Sequence, residues 1–155
     1  MIIIWIDPWT TTVWYAIAKK EANNFELIDY WVIETTPKIP FEDKIFEIAW
    51  DLDFLIDKYN PQKAIIEKLY FTNNIKTWID VAGARGVIIY KFKKRSINIQ
   101  EYTPLQLKNF ICWNWKASKT QLQNAIKIHF KLKEIPKPDD AADAIGLAYM
   151  GLLSI

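Results

Sequence analysis

An α/β fold, with a five-stranded mixed sheet flanked by helices, is predicted by three features of the chain. Residues 2–6, IIIWI, are continuously apolar, which suits a strand covered on both faces at the centre of a sheet. Two runs rich in β-branched and aromatic residues follow at 10–19 and 25–34, separated by a polar turn at 21–24, and this pattern predicts two antiparallel strands. From residue 41 onward, helical spacing of apolar residues alternates with short apolar runs, as expected where helices cross between parallel strands.

Taken in order, the first strand ends in Asp7, and Pro8 fixes φ to start a tight turn. Over 41–59 the apolar residues Ile45, Ile48, Ala49, Leu52, Leu55 and Ile56 mark one helix face, and Asn60-Pro61 stops the helix. Residues 63–67 form a parallel strand that also ends in an acid, Glu67. A long helix is predicted over 73–94. Within it Gly83 and Gly86 lower helix propensity and permit close approach of another helix. A fifth strand covers 97–102. Thr103 is then a good N-cap with Pro104 at the first helical position, for a helix reaching about residue 111. Ser118 caps a further helix through Phe130, and a last helix covers 139–153 with acids in its first turn. The order βββαβαβααα, with the first strand central, is the ribonuclease H-like plan.

A chain of 155 residues without a flexible Gly/Ser linker is expected to form a single domain over 1–155. The apolar start is short and interrupted by Asp7, and no later segment reaches a membrane-spanning length, so no membrane association and a cytoplasmic location are expected. Cys112 is the only cysteine and His129 the only histidine, which excludes an intrachain disulfide and a Cys-based zinc site. The net charge of +2 conceals an asymmetry. Residues 91–134 hold ten Lys/Arg against two acids, a net +8, leaving −6 for the remainder. A basic block beside an acidic remainder fits a polyanion-binding face next to a cation-binding site; the competing reading is an ordinary solvated helix surface.

Asp140 and Asp143, in DDAAD, are spaced i, i+3 and project from one face of a helix's first turn. Alone they mean little, because acids there are stabilised by the helix dipole in any protein. Together with Asp7 and Glu67 in a ribonuclease H-like plan they mean more, since four converging carboxylates repel one another unless a cation lies between them. Magnesium takes carboxylate oxygens and keeps waters, and two such ions serve phosphodiester hydrolysis without a histidine or cysteine nucleophile. Metal-assisted hydrolysis is therefore the predicted chemistry.

At this point the chain resembles a known family over nearly its whole length. IDP at 6–8, AIIEKLYF at 64–71, GARGV at 83–87, EYTPLQLK at 101–108, KASKTQLQ at 116–123 and PDDAADAIGLA at 138–148 are similar to segments of the RuvC family of Holliday-junction endonucleases. EYTPLQLK and the Lys-Gln segment after it are far more specific than any single acid. The resemblance implies that Asp7, Glu67, Asp140 and Asp143 are the catalytic, metal-binding acids, with two Mg2+ per site and Mn2+ as a substitute. It implies a homodimer that resolves four-way DNA junctions by paired symmetric nicks in recombination and repair, with RuvA and RuvB as branch-migration partners. Lys108 and Lys119 match basic residues that serve DNA contact and catalysis, and Tyr70 matches an aromatic position at the junction, where it would stack on an exposed base. A core aromatic following a strand is the other reading of Tyr70. Lys116, Lys119 and Lys127, inside the basic block, would contact phosphates, which positions a duplex without reading its sequence.

Three other readings compete. An actin-like or sugar-kinase ATPase lobe shares a strand-Asp-turn start but needs a second phosphate loop and a second lobe. A non-catalytic junction-binding protein on the same scaffold should have lost at least one acid. A compact YqgF-type relative lacks a reason for EYTPLQLK. One anomaly stands apart: eight Trp against four Gly, where Gly should be about 7% of residues. Trp5, Trp9, Trp14, Trp31, Trp113 and Trp115 fall where the RuvC family typically has Gly. Most or all eight are therefore expected to be glycines in the organism, written as Trp through the wrong reading of UGA.

Overall fold

The computed structural model describes residues 1–22, 24–68, 75–132, 134 and 139–153, with the side chains of 75–77, 104, 139–143 and 152–153 left aside. Five strands are present in it: β1 (Ile2–Asp7), β2 (Thr12–Glu21), β3 (Asn24–Glu34), β4 (Lys63–Glu67) and β5 (Asn98–Tyr102). The helices are α1 (Phe41–Tyr59), α2 (Ile75–Lys94), α3 (Pro104–Cys112), α4 (Lys119–His129) and α5 (Asp139–Leu153). The sheet order is β3-β2-β1-β4-β5, so β1 is central as its unbroken apolar run predicts. β1, β2 and β3 pair antiparallel, whereas β4 joins β1, and β5 joins β4, in parallel after helical crossovers.

Alternation along β1 divides the core between two faces. Ile4 and Ile6 pack with Ile48, Leu52 and Ile56 of α1 and with Ile88 and Phe92 of α2. Ile3 and Trp5 pack with Leu107 of α3, Ile126 of α4, and Ala144 and Ala148 of α5. Ile65 of β4 belongs to this second face, and so fixes the face that Glu67, two residues on, shares.

Local chemistry explains most of the boundaries. Thr103 and Ser118 each accept from the backbone N–H three residues on, and Gln106 and Gln121 reach back to the cap N–H, which completes two capping boxes. Asn60 closes α1 in the left-handed conformation. β2 begins at Thr12 rather than at residue 10. Thr10 and Thr11 stay in the preceding loop because Thr35 holds them: its Oγ1 donates to the Thr10 carbonyl at 3.1 Å and its N–H to that of Thr11 at 3.2 Å. Gly83 does admit a close neighbour, since a Cβ there would lie 2.7 Å from Cζ of Phe41 on α1. A Cβ at Gly86 would meet nothing within 4 Å among the described residues.

A close helix-to-sheet approach is made at Gly151. A Cβ there would lie 2.6 Å from Ile65 Cδ1, closer still to its Cγ1, and 3.2 Å from Ile3 Cδ1. The buried Lys63 fastens the same point by donating from Nζ to the Gly151 carbonyl at 2.8 Å, and burial lowers its pKa. Gly151→Ala should gain up to about 1 kcal/mol of helix propensity. Overpacking should cost more, about 1–3 kcal/mol. A lower denaturant midpoint is the expected result; a variant at least as stable as the parent would show that α5 does not press on Ile65.

A second buried cluster carries a pH prediction. Tyr15 and Tyr59 both donate to Asp29 Oδ2, at 3.2 and 2.5 Å. Burial first, and then the Asp29 charge, raise the Tyr15 phenol well above the ordinary tyrosine range, and burial also raises that of Tyr59. The folded state then keeps protons that the unfolded chain releases near pH 10, so this stabilisation is complete below about pH 10 and is lost above it. The melting temperature should fall steeply between about pH 10 and 11.5, and less so in Tyr15→Phe. A flat profile in the parent would contradict the linkage.

Candidate active site

Asp7 and Glu67 end adjacent parallel strands. The β1–β4 register runs to Ile6 opposite Ile66, and the two acids follow directly on each strand. By pleat parity with Trp5 and Ile65, both carboxylates point to the face covered by α3, α4 and α5. Asp7 and Glu67 line one pocket of about 390 Å3 together with Trp5, Trp9, Thr11, Thr12 and Trp14. Carboxylate and hydroxyl oxygens at the carboxyl ends of strands, with no thiol or imidazole among them, are hard donors of the kind that magnesium or manganese takes.

Asp140 and Asp143 lie in the first turn of α5, and their side chains are outside the described residues. The C-terminal Gly151 of α5 sits against Ile3 of β1 and Ile65 of β4, and Ala144 and Ala148 pack in the same cluster as Trp5, so α5 belongs to the layer on the face that Asp7 and Glu67 share. Among the described residues no group of three or more Asp, Glu, His or Cys could hold a metal ion, so the described part of the site is this pair of acids.

One contact at the site was not legible in the sequence. Trp9 Nε1 donates to Asp7 Oδ2 at 2.7 Å, and the Trp9 N–H donates to the Asp7 carbonyl at 3.0 Å, closing a three-residue turn. The Trp9 ring lies 6.2 Å from that of Trp78 on α2. The spacing Asp-x-Trp was the available signal, but spacing does not say which way an indole turns.

The basic residues are distributed differently from the +8 block read along the chain. Lys91 and Arg95, at the end of α2, pair with Asp53 and Asp57 of α1, on the sheet face opposite the acids. Those two are paired, on the face away from the acids. Lys108 on α3, Lys116 before α4, Lys119 at the start of α4 and Lys127 in its last turn belong to the layer that covers Asp7 and Glu67. Lys116 Nζ lies 4.8 Å over the Trp115 ring. Tyr70 falls outside the described residues.

Comparison with known proteins places this geometry. The family model described as "Crossover junction endodeoxyribonuclease RuvC" matches residues 3–150. The chain belongs to the RuvC family. It is 41% identical over 148 residues to a RuvC of Halothermothrix orenii, covering 96% of this chain and 90% of that relative. A RuvC of Petrotoga mobilis is 41% identical over 149 residues, covering 96% and 91%. Among solved structures, Thermus thermophilus RuvC in complex with Holliday junction substrate superposes with a TM-score of 0.87 at 23% identity, covering 96% of this chain and 90% of that one, a likeness of fold. Membership makes the chain a crossover junction endodeoxyribonuclease, a structure-specific nuclease of recombining DNA. The ATPase-lobe and YqgF-type readings fall with it. No helix of the described residues is long and apolar enough to cross a membrane.

Proposed function

We propose that Asp7, Glu67, Asp140 and Asp143 together hold two Mg2+ ions, with Mn2+ as a substitute, and that the chain resolves four-way DNA junctions by paired symmetric nicks as a homodimer. The observation that carries this reading is the placement of Asp7 and Glu67 on neighbouring strand ends, in one pocket and facing the layer to which α5 belongs. When bound, the cations supply a nucleophilic water at neutral pH and stabilise the leaving oxygen of the phosphodiester. The four carboxylates orient the reacting phosphate by fixing where that charge sits, and the rigid central strand holds Asp7 to that geometry. Lys108, Lys116, Lys119 and Lys127 bind backbone phosphates in the same layer, and Tyr70 stacks on a base exposed at the junction.

Pairing of two copies is supported by α2. Ile79 and Tyr90 are 66% and 60% exposed, and with the exposed Ala82 and Gly86 they form one stripe at helical spacing. The open space at Gly86 leaves room for a second helix. RuvA and RuvB are the partners that family membership suggests.

Incubating a synthetic four-way junction with Mg2+ and the chain, in its Trp form and its eightfold Trp→Gly form, tests the whole reading. Symmetric paired nicks on opposite strands, lost in EDTA, from a species of twice the chain mass in light scattering are expected. A junction left intact by both forms, or nicked by a monomer, would overturn it.

A further inference from the structure

Several of the tryptophans of this chain occupy positions that suit tryptophan poorly. Five of the eight, Trp9, Trp31, Trp50, Trp113 and Trp115, are exposed, up to 90% at Trp113, although tryptophan is highly buried on average. Trp5 is fully buried with an indole nitrogen that has no partner among the described residues, a loss that polar groups in native cores seldom bear. Trp113 closes α3 with φ 53° and ψ 22°, the left-handed conformation in which glycine is the usual residue. Trp9 takes up a carboxylate oxygen at the centre of the candidate metal site.

The glycines are displaced in the opposite sense. All four, Gly83, Gly86, Gly146 and Gly151, lie in α2 and α5, and none has positive φ. Among the described residues the positive-φ positions are held by Ala22, Lys38, Asn60, Ser96, Trp113 and Lys131. A chain that places every glycine in helices, while a helix end in the left-handed conformation carries tryptophan, is at odds with the steric role of glycine. One cause accounts for all of this. UGA is read as tryptophan in one variant code and as glycine in another, so a single decoding choice converts the whole set in one direction. Reversal would make 12 glycines from the present four, close to the roughly 7% expected of a soluble chain.

We infer that the functional protein carries glycine at the tryptophan positions of its turns, Trp9, Trp113 and Trp115, and by the same cause at most or all of the eight, and that the Trp9 indole weakens metal binding at Asp7 by competing for its Oδ2. This rests on the reading of Asp7 as a metal ligand. With tryptophan, the indole N–H occupies Asp7 Oδ2 and the ring, next to that of Trp78, lines the pocket that Asp7 shares with Glu67. With glycine, the turn after Pro8 keeps its backbone bond to the Asp7 carbonyl, and the indole no longer competes for Oδ2.

Two measurements decide it. Codons and peptide masses from the native host should show UGA and glycine at 9, 113 and 115; UGG codons and tryptophan masses would overturn the inference. Mn2+ titration of the whole chain, followed by electron paramagnetic resonance, should show at least roughly tenfold tighter binding in Trp9→Gly than in the Trp form. Trp9→Phe, which keeps the bulk and removes the donor, should fall between them if Trp9→Gly is too unstable to titrate. Equal Mn2+ affinity in all forms overturns the inference. Tight Mn2+ binding by Trp9→Gly with no nicking would sink the nuclease site assignment and leave this one standing, whereas nicking by a Trp form of undiminished Mn2+ affinity would do the reverse.

Discussion

Asp7→Asn, made in the form of the chain that nicks junctions, is expected to reduce cleavage by roughly a thousandfold or more, about 4 kcal/mol of transition-state stabilisation, while junction affinity stays within a few fold of the parent. The asymmetry follows from where Asp7 sits. It ends the central strand of the sheet, its backbone pairs with Trp14 of β2, and Asn is isosteric there, so neither the fold nor the lysine-bearing layer is disturbed. What Asn lacks is the charge that a divalent cation needs from its ligand. Glu67→Gln should behave alike, because it removes the same charge from the neighbouring strand end. The double variant should lose little more than either single one, since ligands of one centre act as a unit. Gel analysis of a labelled junction with Mg2+ reads cleavage, and the same junction in EDTA reads binding. Parent-rate nicking by Asp7→Asn would remove the acid from the mechanism. Loss of binding together with cleavage would assign it a structural role instead.

The element order was legible because short continuous apolar or β-branched runs alternate here with stretches whose apolar residues recur at helical spacing. Ile2–Ile6 reads as central without any neighbour in view, and Thr103 with Pro104 marks a helix start from local chemistry alone. The start of β2 was not legible, because Thr10 and Thr11 are kept out of the strand by Thr35, a residue 24 or 25 places on. Asp7 and Glu67 could be picked out since each ends an apolar run. The Trp9 indole bond to Asp7 could not, as it depends on a rotamer. The charge block shows the same limit at larger scale. Lys91 and Lys108 are close along the chain, yet β5 and the turn into α3 lie between them and send them to opposite faces of the sheet.

That division sharpens the second large effect, the dependence of junction binding on salt. With Lys91 and Arg95 paired to α1, the lysines proposed to bind phosphate are Lys108, Lys116, Lys119 and Lys127, four per protomer and eight in a symmetric pair. Each phosphate contact releases condensed counterions, so a site with six to ten contacts should lose roughly 10^3 to 10^5 in affinity between about 50 and 200 mM salt. A single Lys→Ala at any of the four removes two contacts from the pair and should flatten the slope of log K against log salt by about 1.8. Lys91→Ala and Arg95→Ala should leave that slope alone and instead lower stability modestly, by the loss of partly exposed ion pairs. Fluorescence anisotropy of a labelled junction in EDTA, across a salt series, separates the two groups. A slope that responds to Lys91 and ignores Lys119 would place the DNA on the α1–α2 face of the sheet, away from the acids, and would be incompatible with Asp7 and Glu67 reaching the scissile phosphate.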